Sequence, residues 1–206
     1  SNFKKTINSQ NKISFDKILE VNNKLDKRQA LKTLLDYLKE DSKNSFIYGC
    51  IGNIYGLLKN FQKAKLFQEE AIKHSPLEEI YYLNLSKTLE KISNFNQSLN
   101  FIIFANIINP LNVEIRLTLA RCLFKVKNYN SSIKIYEELT QKNPVNYDIL
   151  IEYCNSLIIL KQFSKANKLL LSLNGTEFKL KEKYTLFGLI EFDKMRIKKA
   201  LEMFSK

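Results

Sequence analysis

Tryptophan is absent from this 206-residue chain, which has only 5 glycines, 3 prolines and 3 cysteines. So little glycine and proline excludes a collagen-like chain, a low-complexity linker and a turn-rich all-β domain, because each needs frequent punctuation of the backbone. A hydrophobic fraction of 45% excludes global disorder. The cysteines, Cys50, Cys122 and Cys154, are widely spaced, and the histidine content is His74 alone. A structural zinc site needs four closely spaced thiolate or imidazole ligands, and a disulfide framework needs paired cysteines, so neither is expected. The thiols read instead as small apolar groups inside helices. No cofactor or metal is implied. The longest uncharged stretch, 92–113, is broken by Asn94, Asn96, Asn100, Asn106, Asn109 and Pro110, too polar for a bilayer core. Reduced cysteines and the lack of a signal sequence make the cytoplasm the default location. The chain opens on Ser1 rather than Met, so an exported origin with the leader trimmed away stays open.

The net charge is +12, carried almost wholly by lysine, with arginine confined to Arg28, Arg116, Arg121 and Arg196. Together with abundant Asn, Ile and Phe, this matches the codon usage of an AT-rich genome. The charge is dispersed, without an arginine stripe or a long run of one sign, so a nucleic-acid partner is disfavoured.

What the chain does have is a period. Pro76, Pro110 and Pro144 are 34 residues apart. On the same ruler lie aromatics at Phe61, Phe95, Tyr129 and Phe163, followed by Ile197. Small residues keep the same spacing at Ala30, Ala64, Ser98, Ser132, Ala166 and Ala200. Lys59-Asn60-Phe61, Ser93-Asn94-Phe95, Lys127-Asn128-Tyr129 and Lys161-Gln162-Phe163 read as one turn used four times. Each period divides into two helical stretches, with the proline falling between pairs because it cannot continue a helix. Small residues at fixed places let paired helices approach closely. Stacked pairs then share a core that no single pair can bury.

These residues resemble the tetratricopeptide repeat family. The unit 45–78 carries the pattern most fully, with Tyr48, Ile51, Gly52, Tyr55, Phe61, Ala64, Ala71 and Pro76. It departs at Gln68, where the family usually has an aromatic. Units 79–112, 113–146 and 147–180 follow, the last lacking the proline and ending early at Asn174-Gly175. A shortened unit occupies 181–206. A degenerate unit at 11–44 keeps Ala30 and Leu34, with Lys17, Lys24 and Lys27 where core residues would stand, and reads as an N-terminal cap. The resemblance implies an all-α fold: one right-handed superhelical α-solenoid of stacked antiparallel helix pairs over residues 1–206. Leu201, Met203 and Phe204 of the final unit are expected to be covered by further chain or by a partner.

No enzyme constellation is present. Gly49, Gly52 and Gly56 are spaced for close helix packing, not for cradling phosphate. His74 falls at a helix C-terminus. Glu69-Glu70 and Glu137-Glu138 read as solvated helix faces.

Binding is therefore the expected activity. In the resembled family the first helix of each unit lines a concave groove. The equivalent rows here are Cys50, Asn84, Thr118 and Glu152, then Asn53, Lys87, Arg121 and Asn155, beside an acidic row of Glu114, Asp148 and Glu182. Asn53, Asn84, Lys87, Arg121 and Asn155 are the candidate groove residues, because carboxamides donate and accept and so hold an extended peptide backbone. Asn53 and Asn84 also match the two asparagines of the family's carboxylate clamp. Gly49, Glu114 and Thr118 replace its cations, so a free carboxylate is not the expected ligand.

A second candidate lies on the outer face. Second helices there carry Glu69, Glu70 and Lys73, or Glu137, Glu138 and Gln141. Unit 79–112 has Ile103, Phe104 and Ile107 at the equivalent places, and an apolar patch of this kind marks a contact surface. Its expected cover is a hydrophobic partner or a second copy, the alternative being superhelix curvature or a displaced N-terminal segment. The expected function is a non-catalytic scaffold or adaptor for a protein or peptide partner. The alternatives are a regulatory or recruiting domain of a larger enzyme such as a transferase and, less favoured, an RNA-binding helical repeat, which would need regular base-reading residues on each unit.

Overall fold

The structure is a computed structural model, and it describes residues 13–142, 147–172 and 177–206. Among them are 12 helices and no strand. In chain order these are α1 (Phe15–Lys24), α2 (Lys27–Glu40), α3 (Ser45–Leu57), α4 (Phe61–His74), α5 (Glu79–Lys91), α6 (Phe95–Ile108), α7 (Val113–Lys125), α8 (Tyr129–Lys142), α9 (Tyr147–Ile159), α10 (Phe163–Ser172), α11 (Glu177–Asp193) and α12 (Ile197–Phe204). The fold is an all-α helical repeat. The chain forms two compact units, Ser1–Cys122 and Leu123–Lys206, divided within α7. Pro144 and Asn174-Gly175 lie outside the described residues.

The recurrent turn is a structural device with one geometry. Lys59, Ser93, Lys127, Lys161 and Met195, each 34 residues from the next, adopt φ of 59°, 59°, 65°, 58° and 59°. Around Lys59, the Asn60 amide donates to the Tyr55 carbonyl at 2.9 Å and the Lys59 amide to the Gly56 carbonyl at 3.0 Å. This pair of bonds is the Schellman arrangement, which satisfies carbonyls that a helix end leaves open. The same pair recurs at Ser93 and Asn94, Lys127 and Asn128, Lys161 and Gln162, and Met195 and Arg196. The asparagine of the turn then starts the next helix. Asn60 Oδ1 accepts from the Lys63 amide at 3.2 Å, and Asn94 Oδ1 from the Gln97 amide at 3.3 Å. One residue closes the first helix and caps the second, so a connection of three residues suffices. Such a connection forces the two helices to be antiparallel neighbours.

In the first unit, α3 pairs with α4 and α5 with α6. Side chains are missing or short where the pairs cross. A Cβ on Gly52 would stand 2.8 Å from Gln68 Cγ and 3.3 Å from the Ala64 carbonyl oxygen. One repeat on, the Ser98 hydroxyl donates to the Ser86 carbonyl at 2.9 Å, and the two hydroxyls are 2.8 Å apart. The N-terminal helices are less degenerate in packing than in pattern. Ile18, Val21, Ala30 and Leu34 are buried in one cluster with Ile13, Ile47, Cys50, Ile51 and Ile54. Lys17, Lys24 and Lys27 stay exposed, and the Lys17 ammonium lies 4.8 Å over the Tyr37 ring.

In the second unit, α9 packs on α8 and α10, and α11 on α9, α10 and α12. Tyr136 and Tyr153 stack at 6.0 Å. Their hydroxyls exchange partners, Tyr153 donating to Glu137 at 2.9 Å and Tyr136 to Glu152 at 3.3 Å. The crossing of α9 and α10 brings Cys154 Sγ to 3.7 Å from the Ala166 carbonyl, the same two repeat positions as Ser86 and Ser98. At the last pair, a Cβ on Gly188 would stand 2.3 Å from the Phe204 ring, so this ring fills the glycine's place on α11. Leu201 is exposed and Met203 half-buried.

Candidate functional site

Three of the five groove candidates converge. Asn53 on α3 and Asn84 and Lys87 on α5 line one pocket of about 290 Å³ in the first unit. Gly56, Leu57 and Phe61 form its apolar side, and Gln68, Thr88 and Lys91 complete it. Helical spacing explains the convergence: Asn84, Lys87, Thr88 and Lys91 repeat at intervals of three and four on α5, as Asn53, Gly56 and Leu57 do on α3. Two departures from the repeat pattern open the space. Gly56 has no side chain, and a Cβ there would meet nothing within 4 Å. Gln68 stands where an aromatic is usual; it is only 2% exposed, and its Oε1 has no hydrogen-bond partner.

The charges are not equivalent. Lys87 is bonded to Glu114, which stands in the acidic row one repeat on. Lys91 has no carboxylate partner among the described residues. The pocket therefore keeps one uncompensated cation beside three carboxamides, those of Asn53, Asn84 and Gln68.

The other groove positions fall elsewhere. Arg121 is half-buried in the first unit and is not among the pocket's lining, and Asn155, in the second unit, is exposed. Cys50 and Thr118, read as lining the groove, are buried, Thr118 donating to the Glu114 carbonyl at 2.8 Å. Asn84 stands in the same row as these two and is half-buried, so one register serves both buried and accessible positions in successive repeats. Glu152 is half-buried and accepts from Tyr136. Asp148 is exposed, and the Glu182 side chain lies outside the described set.

The outer patch is exposed as expected: Ile103 by 41%, Phe104 by 54% and Ile107 by 69%. The inner face of α6 buries Ser98, Ile102 and Ala105, and the helix carries no charged residue. Tyr82 braces the patch from α5, its ring 5.9 Å from Phe104 and its hydroxyl donating to the Pro76 carbonyl at 3.0 Å. The first 12 residues, the alternative cover, lie outside the described residues.

The remaining reactive groups are occupied structurally. His74 stacks on Tyr48 with centroids 5.3 Å apart. Glu70 pairs with Lys73 at 3.3 Å and Glu69 with Lys65 at 3.7 Å. Glu137 is not a free solvated carboxylate, since it holds the Tyr153 hydroxyl and lies 3.4 Å from Lys165. Gly49 sits against the Tyr81 ring, 2.7 Å from a Cβ built there, so packing occupies the place of the clamp's first lysine. Burial pushes the thiols of Cys50, Cys122 and Cys154 up to about 12. Among the described residues, no group of three or more acidic, histidine or cysteine side chains is placed to hold a metal. No described helix is long and apolar enough to cross a membrane.

The sequence profile of the tetratricopeptide repeat matches residues 47–76, which span α3, α4 and the pocket's glycine and glutamine. A search of curated proteins finds no match. Solved structures share the fold. YrrB, a TPR protein with an unusual peptide-binding site, superposes with a TM-score of 0.69 at 13% identity, covering 84% of this chain and 89% of that one. Pseudomonas aeruginosa PilF gives 0.69 at 12% identity over 86% and 81%. A tetratricopeptide repeat protein from Parabacteroides merdae gives 0.64 at 17% identity over 87% and 70%.

Proposed function

We propose that this helical repeat protein, which carries a tetratricopeptide repeat at residues 47–76, is a non-catalytic scaffold that holds an extended segment of a partner protein across α3 and α5. The observation that carries the reading is the convergence of Asn53, Asn84 and Lys87 on one pocket. The carboxamides of Asn53 on α3 and Asn84 on α5 offer donors and acceptors to a peptide backbone and satisfy it without reading its side chains. The peptide-binding site of YrrB, on the same fold, supports a peptide as the ligand class. Arg121, half-buried on α7 of the same unit, belongs to the same reading as a further contact.

The test is selection of binding peptides from a random displayed library on the whole chain. The selected peptides are then measured against Asn53→Ala/Asn84→Ala/Lys87→Ala. Loss of three polar contacts is expected to weaken binding by more than roughly tenfold, with circular dichroism and thermal midpoint unchanged. Peptides that bind the triple variant equally well overturn the reading.

The exposed apolar triad supports a second role, self-association through α6. An uncharged apolar helix face is complementary to itself in a two-fold pair. Sedimentation of the wild type against Phe104→Asp/Ile107→Lys decides it. A concentration-dependent dimer that the variant dissociates is expected, and a wild type that stays monomeric at high concentration refutes the role.

A further inference from the structure

We infer that the pocket between α3 and α5 is a subsite for a carboxamide, the side chain of an asparagine or glutamine in the bound segment. The inference rests on the groove reading above and adds what the pocket selects. Its volume, about 290 Å³, is at the lower edge of small-molecule sites and suits one inserted side chain.

The chemistry narrows the occupant. Gln68 Oε1 is a buried acceptor without a donor, a state that costs free energy until a donor arrives. Glutamine's last torsion is soft, so a small turn of the amide presents that oxygen to a guest. An apolar guest leaves the acceptor unsatisfied. A carboxylate suits Lys91 but, being an acceptor only, supplies no donor to Gln68 Oε1. An ammonium or guanidinium suits Oε1 but is repelled by Lys91. A primary amide answers both demands, its N–H donating to Gln68 Oε1 and its carbonyl accepting from Lys91 or from the Asn84 amide. Gly56 is the gate, because its missing side chain leaves the pocket open.

The test is a titration of the ¹⁵N-labelled whole chain with three capped amino acids: N-acetyl-glutamine methylamide, N-acetyl-glutamate methylamide and N-acetyl-leucine methylamide. The glutamine compound is expected to shift the Gly56 amide and the Gln68 side-chain amide, and to bind roughly tenfold more tightly than the other two, the worth of one satisfied hydrogen bond. Gln68→Met keeps the length and removes the acceptor, so it should erase the preference. Gly56→Leu fills the pocket from a position with no neighbouring atom and should abolish binding of all three; it keeps the test alive where the methionine variant fails to fold. Equal binding of the leucine or glutamate compound, a preference that survives Gln68→Met, or no shift at Gly56 with any compound overturns the inference. The two readings fail separately. Selected peptides that need Asn53 and Asn84 but show no asparagine or glutamine at the position blocked by Gly56→Leu would sink the subsite and leave the groove. A carboxamide preference without any selected peptide would do the reverse.

Discussion

Gly52 and Gly56 stand one turn apart on α3 and are glycines for opposite reasons. At Gly52 the Gln68 Cγ and the Ala64 carbonyl oxygen occupy the space a Cβ would need. Gly52→Val therefore overpacks the α3–α4 crossing and should cost about 1–3 kcal/mol. At Gly56 the space is open, so Gly56→Ala gains helix propensity and should stabilise by about 0.5–1 kcal/mol. Urea midpoints of the two variants should move in opposite directions, and a loss at both would show that Gly56 is also a packing glycine. The sequence spacing of Gly49, Gly52 and Gly56 reads as three packing glycines, correctly for the first two. Nothing in the chain itself distinguishes Gly56, because its role depends on the absence of an aromatic at position 68. That substitution is visible in the sequence as a departure from pattern. The orphaned oxygen it leaves is visible only once α3, α4 and α5 are in place. Register alone places Asn53, Asn84 and Lys87 together, whereas Cys50 and Thr118 share the register of Asn84 and are buried.

Among the elements, the connection between paired helices carries the most information. Its aromatic and asparagine recur visibly, and the structure shows why: the asparagine ends one helix and begins the next. The abundance of asparagine, which composition alone assigns to codon usage, thus has a structural use at these turns. The residue before it could not be read from the sequence. Left-handed backbone is usually marked by glycine, and here the positions hold Lys, Ser, Lys, Lys and Met. A side chain in this region is strained, because its Cβ crowds the carbonyl oxygen. Ser93→Gly removes the strain and should stabilise by about 1 kcal/mol, raising the thermal midpoint by roughly 2–4 °C for a chain of this size. Asn94→Ala removes the cap to the Gln97 amide and should cost about 1 kcal/mol. Scanning calorimetry of the pair separates the two contributions, and a fall in midpoint for Ser93→Gly would contradict the strain argument.

Across the whole molecule, the three cysteines give both units a common response to alkali. Cys50 and Cys122 lie in the first unit and Cys154 in the second, and burial raises all three thiols to about 12 from an ordinary value near 9. Their wide spacing and the lack of any CxxC allow the sequence to identify them as buried small residues. It does not reveal the division into two units, because the period runs unbroken through α7. A thiol raised on folding stays protonated in the native state while its unfolded counterpart ionises. The native chain then binds more protons than the unfolded one, so stability is full below about pH 9 and declines as pH rises toward 12. The decline approaches, at most, about 1.4 kcal/mol per pH unit for each thiol. Burial also raises Tyr81 and Tyr153, which adds to the decline at the upper end of the range. Lysine deprotonation acts oppositely by relieving the repulsion within a net charge of +12, so the thiols must be isolated by difference. The thermal midpoint of the wild type should fall more steeply between pH 8 and pH 10.5 than that of Cys50→Ala/Cys122→Ala/Cys154→Ala. Ellman's reagent should find all three thiols silent in the native chain at pH 8 and reactive in urea. Parallel pH profiles, or native thiols that react at the rate of a free cysteine, would show that the helix crossings are looser than the distances at Ser86, Ser98 and Cys154 require.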